Sequence, residues 1–305
     1  MTDVEHYREL FEDPAFLFTP DAEFPVCCGE KGRVGASFIS EVFEDGKIVA
    51  FDGGTVANAV PSLATVAVKA AAGLPSAEDI DIEDLGDGTV RLTAHGIGGH
   101  ASMPAGTKNA IGMLVEYLLA NDLVSDQERT YLELLQKIFA STDGSTIGIA
   151  ATDDLFEPLT CIGGTIAMVD GRLEQTIDSR YPKSITGEEI AERLTALAED
   201  HDATFVLGSD MVPFYIDPAT PAVTALVDAY NEFTGKQAVP FTIGGGTYAR
   251  HFTKAVSFGP EEPGETVPDW VGPMHGADEG VSEELLKRSL KVYIYALQKL
   301  MELEL

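Results

Sequence analysis

The chain has 305 residues, of which 45% are hydrophobic, and its fifty acidic and twenty basic residues give a formal net charge of -30. This length and composition favour a globular protein of about two domains, while the charge disfavours nucleic acid and anionic membrane surfaces as partners. No apolar run approaches the roughly 20 residues that span a bilayer, and the N-terminus is acidic, unlike a signal peptide. We therefore expect a cytoplasmic protein.

The three cysteines do not suggest a disulfide framework. Their number is odd, and Cys27 and Cys28 are adjacent. Neither these two nor Cys161 belongs to a C-x-x-C pattern, so we expect buried thiols in a reducing compartment.

In chain order, the first predicted elements are a helix end at residues 6–11, a short strand at 15–18 and a loop that carries Asp21. Alternating apolar and polar residues then predict strands in RVGASFISEV, KIVAFDGG, ATVAVK and TVRLTAHG. The acidic stretch SAEDIDIEDLGDG, residues 76–88, separates the last two strands. We expect it to be a solvated loop.

Helical spacing predicts two helices, at residues 107–120 and 126–140. Strands return in LTCIGGTIAMVDG and LEQTIDSRYP, and Thr186 with Glu189 forms a capping box ahead of another helix. A strand at residues 204–209 closes the region. Segregated strands and helices of this kind predict a two-layer α+β domain.

After residue 217 the pattern is typical of an α/β layer. Thr220 and Pro221 begin a predicted helix, Gly235 follows it, and Gly-rich turns separate short buried strands. Ser282 caps a final helix at residues 283–303. We predict one α/β domain made of residues 1–30 and 218–305, with residues 31–217 inserted into it as the α+β domain.

The histidines divide into surface and candidate functional positions. His6 and His201 lie among acids on predicted helices, which favours the surface. His95 and His100 lie in a Gly-rich loop, where His100 is the stronger candidate, and His275 precedes the last helix in another Gly-rich loop.

Two further features could bind ligands. The loop IGGGTYAR, residues 243–250, is either a structural turn or a nest of backbone N–H groups for an anion. Asp21, between two prolines, is placed as a hard metal ligand. It could share a zinc site with His275, but the residues reveal no third or fourth ligand.

Six short motifs occur in one order along residues 19–279: TPDAEFPV, NAVP, GGHASMP, DSRYP, IGGGTYAR and GPMHGADE. Together they resemble the M20 family of dinuclear zinc peptidases, and most closely its PepV-type bacterial dipeptidases. The resemblance covers nearly all of the chain. It implies that Asp21 and His275 are ligands of two different zinc ions, and that His100 is the lid histidine that stabilises the oxyanion of the tetrahedral intermediate.

The resemblance also implies a set of substrate-binding residues. Asn58 and Arg180 correspond to lid residues that bind substrate, including its C-terminal carboxylate, and Thr247 and Arg250 correspond to residues of the catalytic domain that contact the same group. The implied fold is the C-terminal half of a zinc-peptidase catalytic domain, with an inserted lid at residues 31–217. The implied substrates are dipeptides or short peptides.

The family's H-x-D pair, bridging aspartate and Glu-Glu pair would precede the strand before Asp21, and the sequence does not contain them. We therefore expect a truncated chain that is inactive alone and, because apolar surfaces would be exposed, a possible homodimer. Two alternatives stay open. One is a noncatalytic binding or interaction module, and the other is an M20 deacylase of N-acyl amino acids, of the acetylornithine or succinyl-diaminopimelate type.

Overall fold

A computed structural model describes residues 2–71, 73–272 and 278–304 of the chain. Its described part is a mixed α/β fold with several sheets and six α-helices. None of the helices in these ranges is long and apolar enough to cross a membrane. The helices are α1 (Thr2–Leu10), α2 (Ala110–Ala120), α3 (Asp126–Phe139), α4 (Gly187–Glu199), α5 (Pro221–Thr234) and α6 (Glu283–Leu300).

The strands are short in the terminal parts of the chain and longer in its middle. They are β1 (Leu17–Thr19), β2 (Ala22–Glu23), β3 (Cys27–Glu30), β4 (Gly32–Ser40), β5 (Ile48–Gly53), β6 (Ala59–Val60), β7 (Leu63–Lys69), β8 (Ile80–Asp84), β9 (Thr89–His95), β10 (Gly99–His100), β11 (Thr160–Val169), β12 (Arg172–Tyr181), β13 (Ala203–Met211), β14 (Phe214–Tyr215), β15 (Phe241–Ile243), β16 (Ala255–Ser257) and β17 (Pro260–Glu261).

The chain forms two compact units. The first unit comprises residues 1–30 and 214–305, and the second comprises residues 31–213. In the first unit, a mixed five-stranded sheet has the order β1-β16-β3-β14, with β15 paired to β3. The core of this unit is formed by apolar residues of β3 and the loop before it, which face the buried sides of α5 and α6. Val26 of the loop, Leu226 of α5 and Val292 of α6 are examples.

The second unit is built on an antiparallel eight-stranded sheet of order β13-β4-β12-β11-β5-β7-β9-β8. Helices α2, α3 and α4 pack on one face of it, where Phe38 of β4 and Ile177 of β12 join the core. Because successive strand residues point to opposite faces, the residues between these core positions define the other face. We call this the outer face.

The helix signals in the sequence are largely confirmed. Both hydrogen bonds of the capping box between Thr186 and Glu189 are present. The Ser282 hydroxyl accepts a hydrogen bond from a backbone N–H at the start of α6. Gly235 follows α5 in the left-handed conformation, with φ 72°. The Thr220 side chain, however, makes no capping hydrogen bond.

Two local predictions are wrong. The acidic stretch 76–88 is not all loop, because residues 80–84 form β8, which pairs with β9 at the edge of the sheet. Its exposed side chains explain the acidic composition. His201 is buried rather than on the surface, with Nε2 2.9 Å from Lys137 Nζ and Nδ1 2.8 Å from the Leu197 carbonyl oxygen.

Candidate functional site

His100 lies on a small antiparallel ribbon made of β6 and β10, and Asn58 directly precedes β6. His100 is the Cα partner of Ala59, and the carbonyl oxygen of Asn58 accepts a hydrogen bond from the N–H of Ala101 at 2.9 Å. The two candidates are more than forty positions apart in the chain. Backbone pairing therefore brings together two residues that the sequence separates.

The imidazole of His100 is oriented by Ser102. Its Nδ1 lies 2.7 Å from the Ser102 hydroxyl oxygen and accepts from the Ser102 backbone N–H at 3.3 Å. A backbone N–H can only donate, so this contact favours the neutral tautomer with its proton on Nε2. Such an imidazole presents an N–H donor on the side away from Ser102.

The ribbon is seated on the outer face of the eight-stranded sheet. Val60, Ala101 and Ile162 form a small buried cluster. The backbone next to the ribbon comes so close to β11 that a Cβ added to Gly164 would lie 2.2 Å from the carbonyl oxygen of Ala57. Glycine is required at this position because the approach leaves no room for a side chain.

Arg180 lies on the same outer face, on the strand next to β11. The Cα partner of Arg180 is Thr160, and that of Asp178 is Ile162, the residue under the ribbon. Three sequence-predicted residues, Asn58, His100 and Arg180, therefore share one face of one unit.

A buried carboxylate holds Arg180 in place. Asp178 is fully buried, and its Oδ1 accepts from Arg180 Nε at 2.5 Å, while its Oδ2 accepts from Arg33 Nε at 2.7 Å. Lys31 is also buried nearby, and burial, together with the positive charge of Arg180, lowers the pKa of its amine. Glu157 and Asp153 lie close enough to oppose this lowering, so positive and negative groups are mixed around Arg180.

In the first unit, Thr247 and Arg250 surround the buried carboxylate of Glu30. Thr247 is 2% exposed and donates to Glu30 Oε1 from both its backbone N–H, at 3.0 Å, and its hydroxyl, at 2.6 Å. The Thr247 hydroxyl also lies 2.6 Å from that of Ser257, and Arg250 Nε is 3.6 Å from Glu30 Oε2. Thr247 and Arg250 thus bind an internal carboxylate, and their contact with substrate stays a prediction.

Burial raises the pKa of Glu30 above its ordinary value, against the opposing effects of the Thr247 hydrogen bonds and the Arg250 charge. The negative charge of Asp21 raises it further. Glu30 Oε2 accepts no hydrogen bond from the described residues. The ionised form of Glu30 is therefore disfavoured, since a buried charge needs partners for both oxygens.

The two candidate zinc ligands do not make a site by themselves. Asp21 is exposed in the turn between β1 and β2, and His275 lies outside the described residues. Within the described ranges, no three His, Cys, Asp or Glu side chains come together in a way that could bind a metal ion. A catalytic zinc needs about three protein ligands, so the described residues do not fit a complete centre.

Sequence reasoning missed the two carboxylates that organise these clusters. In VCCGEKG, the charged residues Glu30 and Lys31 follow directly after an apolar stretch. In DSRYP, Asp178 is a charged residue within a buried strand. A charged residue in a buried run is rarely tolerated without a partner. That pattern could have singled them out, although it could not have named the partners.

The chain has relatives of similar sequence among known bacterial proteins. The chain is 30% identical over 319 residues to "Putative dipeptidase YtjP" of Bacillus subtilis, and 28% identical over 316 residues to a "Putative dipeptidase" of Staphylococcus epidermidis. Each match covers 97% of this chain and 66% of the relative. No family model matches the chain.

Among solved structures, the chain is similar to the dipeptidase Dug1p of Saccharomyces cerevisiae, with a TM-score of 0.48, 12% identity and coverage of 100% of this chain and 62% of that one. It is also similar to the M20 family metallo-carboxypeptidase Sso-CP2 of Sulfolobus solfataricus, with a TM-score of 0.44, 13% identity and coverage of 97% and 65%.

The sequence match makes the chain a homologue of bacterial proteins that are named "Putative dipeptidase". The chain belongs to the M20 family, and it spans about two thirds of the length of the relatives that it matches.

Proposed function

We propose that this chain forms part of an M20-type metallopeptidase that hydrolyses dipeptides or short peptides with zinc. The observation that carries the proposal is the gathering of Asn58, His100 and Arg180 on one face of the second unit. These are the residue types that amide hydrolysis requires for an oxyanion and a substrate carboxylate. The match to dipeptidases along 97% of the chain supports the same substrate class.

His100 is the residue that we assign to the oxyanion. With its Nδ1 turned to Ser102, a neutral imidazole donates through Nε2 to the negative oxygen that develops when water attacks the peptide carbonyl. A donor already oriented before the reaction stabilises this charge without reorganisation. Asn58, whose backbone is paired with that of Ala101 next to His100, is assigned to substrate binding.

Arg180 belongs to the subsite for the free C-terminal carboxylate in this proposal. A guanidinium group and a carboxylate pair through two parallel N–H···O bonds, which makes arginine suited to this recognition. Two zinc ions would complete this site, with Asp21 a ligand of one ion and His275 a ligand of the other, together with residues from the part of the relatives that the match leaves out. The zinc ions would supply Lewis acidity toward the scissile amide.

The test is a dipeptidase assay with zinc, run on this chain and on the same chain joined to the part of the Bacillus subtilis relative that the match leaves out. Alanylglycine is the substrate, and an N-acetylated amino acid serves as the comparison for deacylase activity. We expect turnover of alanylglycine by the joined protein and its loss on chelation of the metal. If the joined protein prefers the acetylated amino acid, the proposed activity is that of a deacylase and not that of a dipeptidase.

His100→Ala should lower kcat by about 100- to 1000-fold in that protein, which is the usual effect of removing an oxyanion donor. His95→Ala is the matched control, because His95 is exposed and its Nε2 is 2.8 Å from Asp81 Oδ2 on the edge strand β8. Unchanged turnover after the His100 substitution would contradict the assignment.

A further inference from the structure

The chain segments around His100 carry no charged side chains. Residues 53–68, which include β6, and residues 96–107, which include β10, contain no aspartate, glutamate, lysine or arginine. The same is true of residues 160–169, the strand β11 on which the ribbon lies. Charged residues make up 23% of the protein, so an uncharged region of this size differs from the rest of the chain.

Charged groups lie at the border of this region and are of both signs. Lys108 Nζ is 2.8 Å from an aspartate oxygen. Arg180, on the strand next to β11, donates to Asp178 and has Glu157 and Asp153 in its surroundings. Mixed charges at the border do not select a ligand ion of one sign, so the region between them favours an uncharged group.

Two large apolar residues are exposed at the same end of the ribbon as His100. Because β6 and β10 are antiparallel, the chain enters β6 and leaves β10 at one end, and the pair of Ala59 and His100 lies at that end. Val56 comes three residues before β6 and is 50% exposed, and Met103 comes three residues after β10 and is 72% exposed. Two apolar residues and the imidazole thus share one end of the ribbon.

The turn that carries Met103 is ordered by its own hydrogen bonds. The Met103 N–H donates to the His100 carbonyl oxygen at 3.0 Å. Thr107 donates to the Pro104 carbonyl oxygen from its backbone N–H, at 3.2 Å, and from its hydroxyl, at 2.7 Å. A Cβ added to Gly99 would lie 2.5 Å from Thr107 Cγ2, so the end of the turn packs closely on β10. A defined turn therefore presents Met103 to solvent.

We propose that Met103 and Val56 bind an apolar side chain of the peptide substrate, and that Met103 is a residue that determines specificity. This inference rests on the proposed function and adds a substrate class to it, peptides with large apolar side chains such as leucine. In a dipeptide each side chain branches from a carbon bonded directly to the scissile amide group. A residue next to the oxyanion donor is therefore close to one of the two side chains.

The chemistry of the region agrees with this class of substrate. The unbranched thioether side chain of Met103 adapts to apolar groups of different shape. Contact with such a group removes apolar surface of both partners from water. A charged substrate side chain would lose hydration there without gaining a partner of opposite charge.

The first test follows the methionine methyl NMR signals of this chain and of the joined protein during titration with leucylleucine and glycylglycine. The Met103 signal is identified by its loss in Met103→Leu. We expect leucylleucine to shift this signal at concentrations at which glycylglycine leaves it unchanged. If leucylleucine does not shift it in either protein, the apolar contact is wrong.

The second test compares kcat/KM for the two peptides in the joined protein. Met103→Ser should lower the ratio of leucylleucine to glycylglycine by about tenfold, the effect of losing contact with one or two methylene groups. Met103→Leu should keep the ratio of the wild type, because its side chain is also large and apolar. Met301→Ser is the matched control, since Met301 is 86% exposed and lies after α6 in the first unit. Thermal melting shows whether each variant is folded.

The outcomes separate this inference from the proposed function. An unchanged ratio in Met103→Ser, in a joined protein that hydrolyses both peptides, would overturn the role of Met103 and leave the proposed function standing. A shift of the Met103 signal by leucylleucine without hydrolysis of either peptide would support the apolar contact and count against the peptidase.

Discussion

At the scale of the residue, buried carboxylates organise both units. Glu30 in the first unit gathers Thr247 and Arg250, and Asp178 in the second gathers Arg33 and Arg180. The two carboxylates differ in their hydrogen bonds. Both oxygens of Asp178 accept a hydrogen bond, whereas Glu30 Oε2 accepts none from the described residues. A buried acid that lacks one partner binds its proton more tightly.

Glu30→Gln should therefore change how stability depends on pH. The pKa of Glu30 is raised above 4.5 in the folded protein, so the folded state binds the proton more tightly than the unfolded state. Its contribution to the free energy of unfolding is fully present below pH 4.5 and is lost as the pH rises through the folded pKa. Glutamine does not titrate, so the Glu30→Gln variant does not lose this part of its free energy of unfolding as the pH rises.

The measurement is urea unfolding of both proteins from pH 4 to pH 8. The stability of the wild type relative to Glu30→Gln should fall with increasing pH. A constant difference across the range would show that the pKa of Glu30 is not raised.

The cysteines should be unreactive in the native state. Burial raises the pKa of each of the three thiols, Cys27, Cys28 and Cys161, to about 12, and only the thiolate reacts readily. A thiol reagent at pH 8 should modify none of them within minutes in the folded protein and all three in denaturant. Rapid native modification of Cys161, which lies in the core of the second unit, would contradict its burial.

At the scale of the element, a close approach between backbones determines where the ribbon of β6 and β10 lies. Gly164 of β11 admits the Ala57 carbonyl group because it has no side chain, and the ribbon covers Ile162 next to it. The position of Asn58 and His100 on the outer face thus depends on a residue that has no chemistry of its own.

Gly164→Ala should displace the ribbon and destabilise the protein by about 1–3 kcal/mol, the usual cost of overpacking. The His100 imidazole signals in NMR should shift, because its contact with Ser102 depends on the ribbon. Gly245→Ala is the control, since an added Cβ there meets only Ile243 at 3.6 Å, an ordinary contact. If the His100 signals do not shift in the Gly164→Ala variant, contacts other than the one at Gly164 determine the position of the ribbon.

At the scale of the whole molecule, helix α6 presents an apolar stripe to solvent. The residues Leu286, Leu290, Ile294 and Leu297 are 47–59% exposed and follow one another at intervals of three or four positions, so they share one face of the helix. The opposite face packs into the core of the first unit through Val292 and Ala296. A continuous exposed apolar face favours self-association.

We expect the protein to form dimers or larger species, and Leu290→Gln with Ile294→Gln to shift it toward the monomer. Sedimentation velocity at several concentrations measures this. The control is Val49→Gln with Val169→Gln, which removes apolar residues of similar exposure in the second unit. A wild-type protein that stays monomeric at all concentrations would contradict the role of the stripe.

Local signals along the chain are enough to predict several of the elements. The capping box of Thr186 and Glu189, the helix that begins at Pro221 and precedes Gly235, and the alternating strands on either side of the acidic stretch follow from hydrogen bonds and periodicities within a few residues. The family followed from six motifs in order. The assignment of the units as a catalytic domain and a lid stays a prediction, as do the zinc ligands.

Which distant residues come into contact depends on the folded chain. Pairing across the sheet placed Arg33 beside Arg180, and the ribbon placed His100 beside Asn58. The fold also placed His201 in the interior and made a strand of residues 80–84. The physical reason is that burial, register and ion pairing depend on groups distant in the chain, whereas a sequence pattern reports only on neighbours along it.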